Sequence, residues 1–173
     1  MCYKFTCSNK YNKIFVFVIF YINLHETLLY NKRINNMKNK DKKEKEAKMV
    51  LVVRGDLKNI KGEKVRSGKI IAQACHSALG FVWDNVKGKK VCFEMSDAQY
   101  DWYMSGQTKI ALKAKDEAQL LEVFKNAKKA GVSAELIIDA GRTEFGEPTK
   151  TCVAIGPDYS ERIDKITGDL SLY

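Results

Sequence analysis

Residues that bind metals or form disulfides are scarce in this 173-residue chain. It has two histidines, His25 and His76, and five cysteines whose spacings are long and include no Cys-x-x-Cys pair. Because a structural zinc site needs closely spaced Cys or His ligands, this pattern argues against zinc. An odd number of cysteines also argues against a disulfide framework and favours a reducing compartment.

The chain also lacks an apolar run of the roughly 20 residues that usually span a membrane. Its strongest apolar run, residues 14–24, is shorter and is followed by a Lys- and Asn-rich segment, residues 31–48. Such a segment is typical of a flexible charged linker. Residues 1–47 are therefore predicted to be either a membrane anchor with the domain on the cytosolic side, or an extension that precedes a true start at Met37 or Met49.

The formal net charge of +9 is unevenly distributed. Residues 1–48 hold 11 Lys and Arg against 4 Asp and Glu, whereas residues 49–173 hold 19 against 17. The overall charge is therefore weak evidence for a nucleic-acid-binding domain. Basic side chains still cluster within the domain, at Arg54, Lys58, Lys61, Lys64, Arg66 and Lys69, and at Lys87, Lys89 and Lys90. Such patches can bind phosphates, although a solvated surface is the simpler interpretation.

Strand and helix patterns alternate in the remainder of the chain, which is typical of a layered α/β domain. Strands are predicted at 49–54, 109–115, 134–139 and 151–156, and helices at 68–86, 97–105, 116–130 and 158–166. The last two strands are joined by about a dozen residues with no helical pattern, which favours an antiparallel pair. The sequence therefore predicts a mixed sheet of four strands, without internal repeats.

The helix predicted at 68–86 carries a polar stripe. At 100° per residue, Lys69, Gln73 and His76 fall within about 60° of one another. The opposite face, predicted to pack on the core, contains Ile71, Ala74, Cys75, Ala78 and Val82. Lys69 adds its charge to a helix N-terminus that already favours anions. A nucleotide-binding P-loop is excluded, since Ile70 stands where that motif needs a hydroxyl.

A second polar cluster follows the strand predicted at 134–139. The sequence DAGRT contains Asp139, Arg142 and Thr143, and catalytic groups of α/β domains often lie at strand ends. An Asp followed by Ala-Gly is equally common as a turn. Thr151, at the start of the next strand, would approach Thr143 when the hairpin closes. No Ser-His-Asp set can be assigned.

Taken together, these segments closely resemble the archaeal and eukaryotic, or type-two, peptidyl-tRNA hydrolase family. The matching stretches are KMVLVVRGDL at 48–57, GKIIAQACHSA at 68–78, SGQTKIALKAKDEAQL at 105–120, IIDAGRTE at 137–144, TCVAIGP at 151–157 and IDKITGDLSLY at 163–173. They follow the family's order and cover essentially all of 48–173. That region is therefore identified as a peptidyl-tRNA hydrolase domain.

The resemblance implies a three-layer α/β/α sandwich on a four-stranded mixed sheet. It also implies cleavage of the ester between a peptide and the 3′ ribose of tRNA, without a metal or organic cofactor. The catalytic roles would fall to Lys69, Asp139, Thr143 and Thr151, and the tRNA contacts to Gln73, His76, Arg142, Lys64 and Arg66.

Within this scheme Lys69 would stabilise developing negative charge or hold a phosphate. Asp139 would orient Lys69 or assist an attacking water, and the threonines would position that water or the terminal adenosine. Cys75 stands where many relatives have a serine or small residue, and its predicted place in the core argues against a nucleophile. The loop GEPTK at 146–150 lacks the family's usual late glycine, which bears on the placement of Thr151.

The alternative function is a non-catalytic RNA- or protein-binding adaptor with the same fold. The joint presence of the four candidate catalytic residues favours the enzyme. The expected partners are peptidyl-tRNA and a second copy of the chain in a homodimer, with a membrane only if 14–24 is an anchor. The expected location is the cytoplasm, with a mitochondrial or membrane-anchored location as the alternative.

Overall fold

Strand β1 (Ala47–Arg54) lies in the middle of the main sheet. The computed structural model describes residues 45–83, 85–91 and 93–173. Val50 and Val52 of β1 are buried in the core cluster on one face of the sheet, and Met49 in the cluster on the other. This is the pattern of a continuous apolar run that is covered on both sides.

The described chain forms a main sheet of five strands. Besides β1 they are β4 (Lys109–Ala114), β5 (Ala134–Asp139), β6 (Thr149–Tyr159) and β7 (Ser171–Leu172), and their order in the sheet is β5-β6-β1-β4-β7. β1 is parallel to β4 and antiparallel to β6, and β5 is antiparallel to β6. The predicted mixed sheet and the antiparallel pair are confirmed. The predicted count of four is wrong by one, because β7 has two residues and shows no pattern in the sequence.

Helices cover both faces of this sheet. They are α1 (Ser67–Trp83), α2 (Asp97–Met104), α3 (Glu117–Lys129) and α4 (Ser160–Thr167). Leu120 of α3 and Ile163 of α4 are fully buried in one core cluster, whereas Trp102 of α2 packs with Ala78 of α1 on the opposite face. The three-layer α/β/α sandwich is therefore confirmed. Asp116 caps the N-terminus of α3, where its side chain accepts a hydrogen bond from the amide of Gln119.

A small hairpin that the sequence patterns did not predict follows α1. It pairs β2 (Val86–Lys87) with β3 (Lys90–Val91). α1 itself ends at Trp83, three residues before the predicted end. The hairpin exposes the predicted basic cluster of Lys87, Lys89 and Lys90.

The predicted orientation of α1 is wrong. Gln73 is 4% exposed and faces the sheet together with Ile70, whereas Ile71 and Cys75, which were predicted to lie in the core, are exposed. The helix approaches β5 closely at Gly80, where an added Cβ would lie 2.0 Å from Cγ of Glu135. The buried side of α1 therefore carries a glycine and a paired glutamine, Gly80 and Gln73, and is not the side with the most apolar residues.

Gly80→Ala tests this contact. The clash involves Cβ of Glu135 at 2.6 Å as well as its more flexible atoms, so the strand or the helix must shift. We expect a net loss in the free energy of unfolding of about 1–2 kcal/mol, because overpacking outweighs the better helix propensity of alanine. Urea unfolding of the full chain measures it, with Gly68→Ala as the control, since no atom lies within 4 Å of a Cβ at Gly68. Equal stability of the two variants would contradict the prediction.

The predictions for the N-terminal part concern residues outside those described, apart from its end. The anchor predicted at 14–24 lies wholly outside them. The predicted linker overlaps the described chain at its last residues, and Ala47 and Lys48 there already belong to β1. Within the described ranges, no helix combines the length and the apolar character needed to cross a membrane.

Candidate active site

Lys69, Asp139 and Thr143 meet at the end of β5. Lys69 lies in the first turn of α1, Asp139 is the last residue of β5, and Thr143 belongs to the loop that follows. Lys69 Nζ donates hydrogen bonds to Asp139 Oδ2 at 2.5 Å and to Thr143 Oγ1 at 3.2 Å. The fold thus brings together three residues that the sequence singles out from two separate motifs.

Both carboxylate oxygens of Asp139 accept hydrogen bonds. Oδ2 accepts from Gln73 Nε2 at 2.8 Å in addition to Lys69, and Oδ1 accepts from the amide of Gly141 at 2.9 Å. Gly141 has a φ of +79°, and a Cβ there would lie 2.3 Å from the carbonyl oxygen of Glu147. The turn after β5 therefore requires glycine, and it aims a backbone donor at the carboxylate.

These contacts also set the charge of Asp139. Its burial alone would raise the pKa, but the hydrogen bonds from Lys69, Gly141 and Gln73 and the charge of Lys69 lower the pKa below its usual value. The carboxylate is therefore ionised at neutral pH. It is a weak base, with each oxygen already occupied, and it is well suited to hold a cation.

Thr151 lies behind this pair and not in the open site. It is fully buried, and its hydroxyl donates to Gln73 Oε1 at 3.0 Å. The Cys152 thiol donates to the backbone carbonyl of Gln73 at 3.1 Å. A continuous chain of hydrogen bonds therefore runs from Thr151 through Gln73 to Asp139 and Lys69.

The Lys69–Asp139 pair is shielded but open on one side. The side chains are 17% and 12% exposed, respectively. Lys69 Nζ also lies 5.6 Å from the centroid of the Phe145 ring, within the range of a cation–π contact. Partial exclusion of water strengthens electrostatic interactions in such a site, while one face remains accessible to a substrate.

Glu144 ties two loops together at the start of α1, a role for which a single acidic residue in a loop gives no signal in the sequence. It is 6% exposed and accepts hydrogen bonds from Arg66 Nε at 2.8 Å and from the Arg66 amide at 3.3 Å. Its carbonyl oxygen accepts from the amide of Ile60 at 2.8 Å. Burial opposes ionisation, but the contacts with Arg66 lower the pKa of Glu144. The pair fixes the segment that carries Lys69.

The predicted tRNA contacts divide into one buried residue and four surface residues. Gln73 is buried, as described above, and is not accessible to a large ligand. The surface residues are His76, Lys64, Arg66 and Arg142. The Arg66 side chain remains 81% exposed despite its pairing with Glu144.

Neither described cysteine has the environment of a reactive nucleophile within this hydrogen-bonded cluster. Cys152 is fully buried, and burial raises the pKa of its thiol. Cys75 is exposed on α1 and is not among the described residues that line a groove between α1 and β5, beside Asp139. Its predicted place in the core is wrong, because α1 turns Gln73 and not Cys75 toward the sheet.

The described domain is similar to known proteins over nearly its full length. Residues 47–173 match the family model described as "Peptidyl-tRNA hydrolase PTH2". The peptidyl-tRNA hydrolase of Methanopyrus kandleri is 42% identical over 126 residues, which are 72% of this chain and 97% of that protein. That of Methanothermobacter thermautotrophicus is 41% identical over 125 residues, with 72% and 98% covered. "Peptidyl-tRNA hydrolase 2, mitochondrial" of Bos taurus is 39% identical over 128 residues, with 74% and 65% covered.

Proposed function

Because the chain belongs to the peptidyl-tRNA hydrolase PTH2 family, we propose that its Lys69–Asp139 pair is the centre at which peptidyl-tRNA is cleaved. The protein is a hydrolase that acts on the ester between a peptidyl group and the 3′ ribose of tRNA. One observation carries the assignment of the site: an ammonium group, open on one side, is held by a carboxylate whose every oxygen is fixed.

Lys69 is the electrostatic catalyst in this proposal. Water attacks the ester carbonyl, negative charge grows on the carbonyl oxygen, and the bond to the ribose oxygen then breaks. The products are a peptide acid and a tRNA whose ribose oxygen has gained a proton from water. A positioned cation stabilises the charge that develops in the transition state, and such preorganised contacts supply much of the catalytic effect in hydrolases.

Asp139 positions Lys69 and does not abstract the proton from water. Its lowered pKa makes it a poor general base, and both its oxygens already accept hydrogen bonds. Thr143 carries an exposed hydroxyl beside Lys69, so we assign it to the orientation of the attacking water or the ester. Thr151 acts indirectly. Its hydroxyl donates a hydrogen bond to the side-chain amide of Gln73, which in turn donates one to Asp139.

The exposed basic residues near the start of α1 and in the loop after β5 hold the tRNA backbone in this proposal. Lys64, Arg66 and Arg142 supply the positive charge, and His76 contacts the tRNA end. Lys and Arg contacts to phosphate release counterions, so tRNA binding through them weakens as salt rises.

A salt series on the full chain tests both the activity and the tRNA surface. The assay follows release of the labelled N-acetylamino acid from N-acetylaminoacyl-tRNA. We expect cleavage, with kcat/KM falling steeply as salt rises. We also expect Arg142→Ala to make the slope of log kcat/KM against log salt concentration less steep by about one. Lys165→Ala is the control, since Lys165 is exposed on α4, on the opposite face of the sheet. A wild-type kcat/KM that does not change with salt concentration would refute the proposal that the basic surface binds tRNA.

The same assay decides between the enzyme and the adaptor. An adaptor of this fold would bind N-acetylaminoacyl-tRNA and leave the ester intact. The partly buried Lys69–Asp139 pair favours the enzyme, because a surface that only binds phosphates has no need of a carboxylate beneath its lysine. Binding without cleavage by the folded wild-type protein would replace the proposed hydrolase with the adaptor.

A further inference from the structure

We propose that a groove beside strand β5 binds the peptidyl part of the substrate as an added strand, parallel to β5. The proposal rests on the hydrolase function above and assigns a site to the half of the substrate that the basic surface does not serve. The groove encloses about 360 Å³ and begins at Gln73 and Asp139. α1 forms one wall with His76 and Trp83, and β5 forms the other.

The charges of the groove fit a peptide better than a nucleic acid. None of the described residues that line it is a lysine or an arginine, and Glu135 and Asp139 are among them. A phosphate backbone needs cations along its path. The exposed basic residues Lys64, Arg66 and Arg142 are not part of the groove lining. The site therefore offers a basic surface for the tRNA backbone and, beyond His76 at the tRNA end, a groove without lysine or arginine among its described lining residues for the peptide.

The β5 wall is the edge of the sheet. In the described chain β5 pairs with β6 alone, so the backbone groups on its other side have no strand partner. Ile138 on this edge is 56% exposed. Open edges of this kind readily accept an extended peptide. Recognition through backbone hydrogen bonds does not depend on side chains, which suits an enzyme whose substrates differ in peptide sequence.

The position of the ester fixes the direction of the added strand. The last residue of the peptide is esterified to tRNA, so it lies beside Asp139 at the C-terminal end of β5. The peptide must then run back toward Ala134, which makes the two strands parallel. The six residues of β5 span roughly 17–20 Å at a rise of about 3.3 Å per residue. The groove therefore has room for about five residues of peptide.

Trp83 lies seven residues after His76 on the same wall, which places it two turns of α1 farther from Asp139. It is 56% exposed, and an aromatic side chain supplies a broad apolar surface for the residues of a bound peptide. Leu79 is exposed on the same helix to a comparable degree, 46%, but does not line the groove. The two residues thus form a matched pair for a test.

The test compares four substrates with one tRNA and one esterified residue, using the full wild-type chain. They are N-acetylalanyl-tRNA, N-acetyl-tetraalanyl-tRNA, and two tetraalanyl forms methylated on alternate backbone amides, one in each of the two registers. Each buried hydrogen bond contributes about threefold to tenfold in affinity, so kcat/KM should rise by about tenfold from the first substrate to the second. Methylation in one of the two alternate registers should remove that gain. Trp83→Ala should lower the ratio of kcat/KM for N-acetyl-tetraalanyl-tRNA to kcat/KM for N-acetylalanyl-tRNA, and Leu79→Ala should leave that ratio unchanged.

Three results would overturn the proposal. Equal kcat/KM for the short and long substrates would show that no peptide subsite exists. A gain with length that neither methylation register reduces would show that the peptide is not bound as a strand. An equal loss of the ratio in Trp83→Ala and Leu79→Ala would locate the subsite elsewhere. Failure of the wild-type chain to cleave even N-acetylalanyl-tRNA would instead refute the hydrolase function. The proposal that the groove binds the peptide would then lose its basis.

Discussion

Replacing Lys69 with methionine should lower kcat for hydrolysis of N-acetylaminoacyl-tRNA by about 10²- to 10³-fold, with a smaller effect on KM. Methionine keeps much of the volume of the side chain and removes its charge. The loss should appear in kcat because the developing charge on the ester oxygen exists only in the transition state. Lys69→Arg, which keeps a cation on a differently shaped head group, should retain more activity than Lys69→Met.

The control for Lys69→Met is Lys48→Met. Lys48 also pairs with a carboxylate, at 2.7 Å from Asp164, and its side chain is 12% exposed compared with 17% for Lys69. Removing either cation breaks an ion pair of a mostly buried lysine side chain, so both variants should lose some stability, which urea unfolding measures. Only Lys69→Met should lose the catalytic step. Similar kcat values for the two variants would mean that Lys69 contributes through stability alone.

Local features of the fold were predictable from the sequence because they depend on neighbouring residues. The apolar run of β1 and the Asp116 cap of α3 are set by a few adjacent side chains. The cluster of Lys69, Asp139 and Thr143 was predictable through resemblance to a family, in which several separate motifs recur in one order. Strand β7 was not predictable, since two residues carry no periodicity.

The orientation of α1 could not be predicted because it depends on partners far away in the sequence. Gln73 is buried because its amide has partners at both ends, Asp139 and Thr151, which are 66 and 78 residues away. A helical wheel treats a glutamine as a surface residue and has no knowledge of such partners. The contact of Glu144 with Arg66, across 78 residues, is invisible for the same reason. Buried polar groups are stable when paired, and sequence periodicity does not reveal the pairing.

Asp139→Asn should lower kcat by about 10²-fold, through the position of Lys69 and not through loss of a base. An amide has one oxygen, whereas Asp139 accepts from Lys69 and Gln73 on one oxygen and from Gly141 on the other. In either orientation the new NH₂ group faces a donor. Lys69 then loses the anion that holds it, and the ammonium is no longer fixed against the ester.

Asp158→Asn is the matched control for this substitution. The Asp158 side chain is 9% exposed and accepts hydrogen bonds from Arg162 at 2.6 Å and from the amide of Tyr159 at 2.7 Å. Asp158 therefore has an ion pair and a backbone hydrogen bond like those of Asp139, but it is not paired with Lys69. Both variants should be destabilised in urea unfolding, and only Asp139→Asn should lose kcat. A kcat in Asp139→Asn equal to that of Asp158→Asn would remove Asp139 from the mechanism.

The pH dependence of kcat/KM separates the positioning role of Asp139 from general-base catalysis. The pKa of Asp139 lies below its usual value, so the carboxylate is charged in the neutral range and its support of Lys69 is lost only as pH falls through that lowered pKa. In a His76→Gln background, which removes the imidazole beside the site, kcat/KM should stay level down to about pH 5 and decline only below the ordinary pKa of aspartate, about 3.9. A general base tuned for neutral pH would instead give an acid limb between about pH 5 and 7. Such a limb, if it disappeared in Asp139→Asn, would overturn the positioning role and make Asp139 the group that activates water.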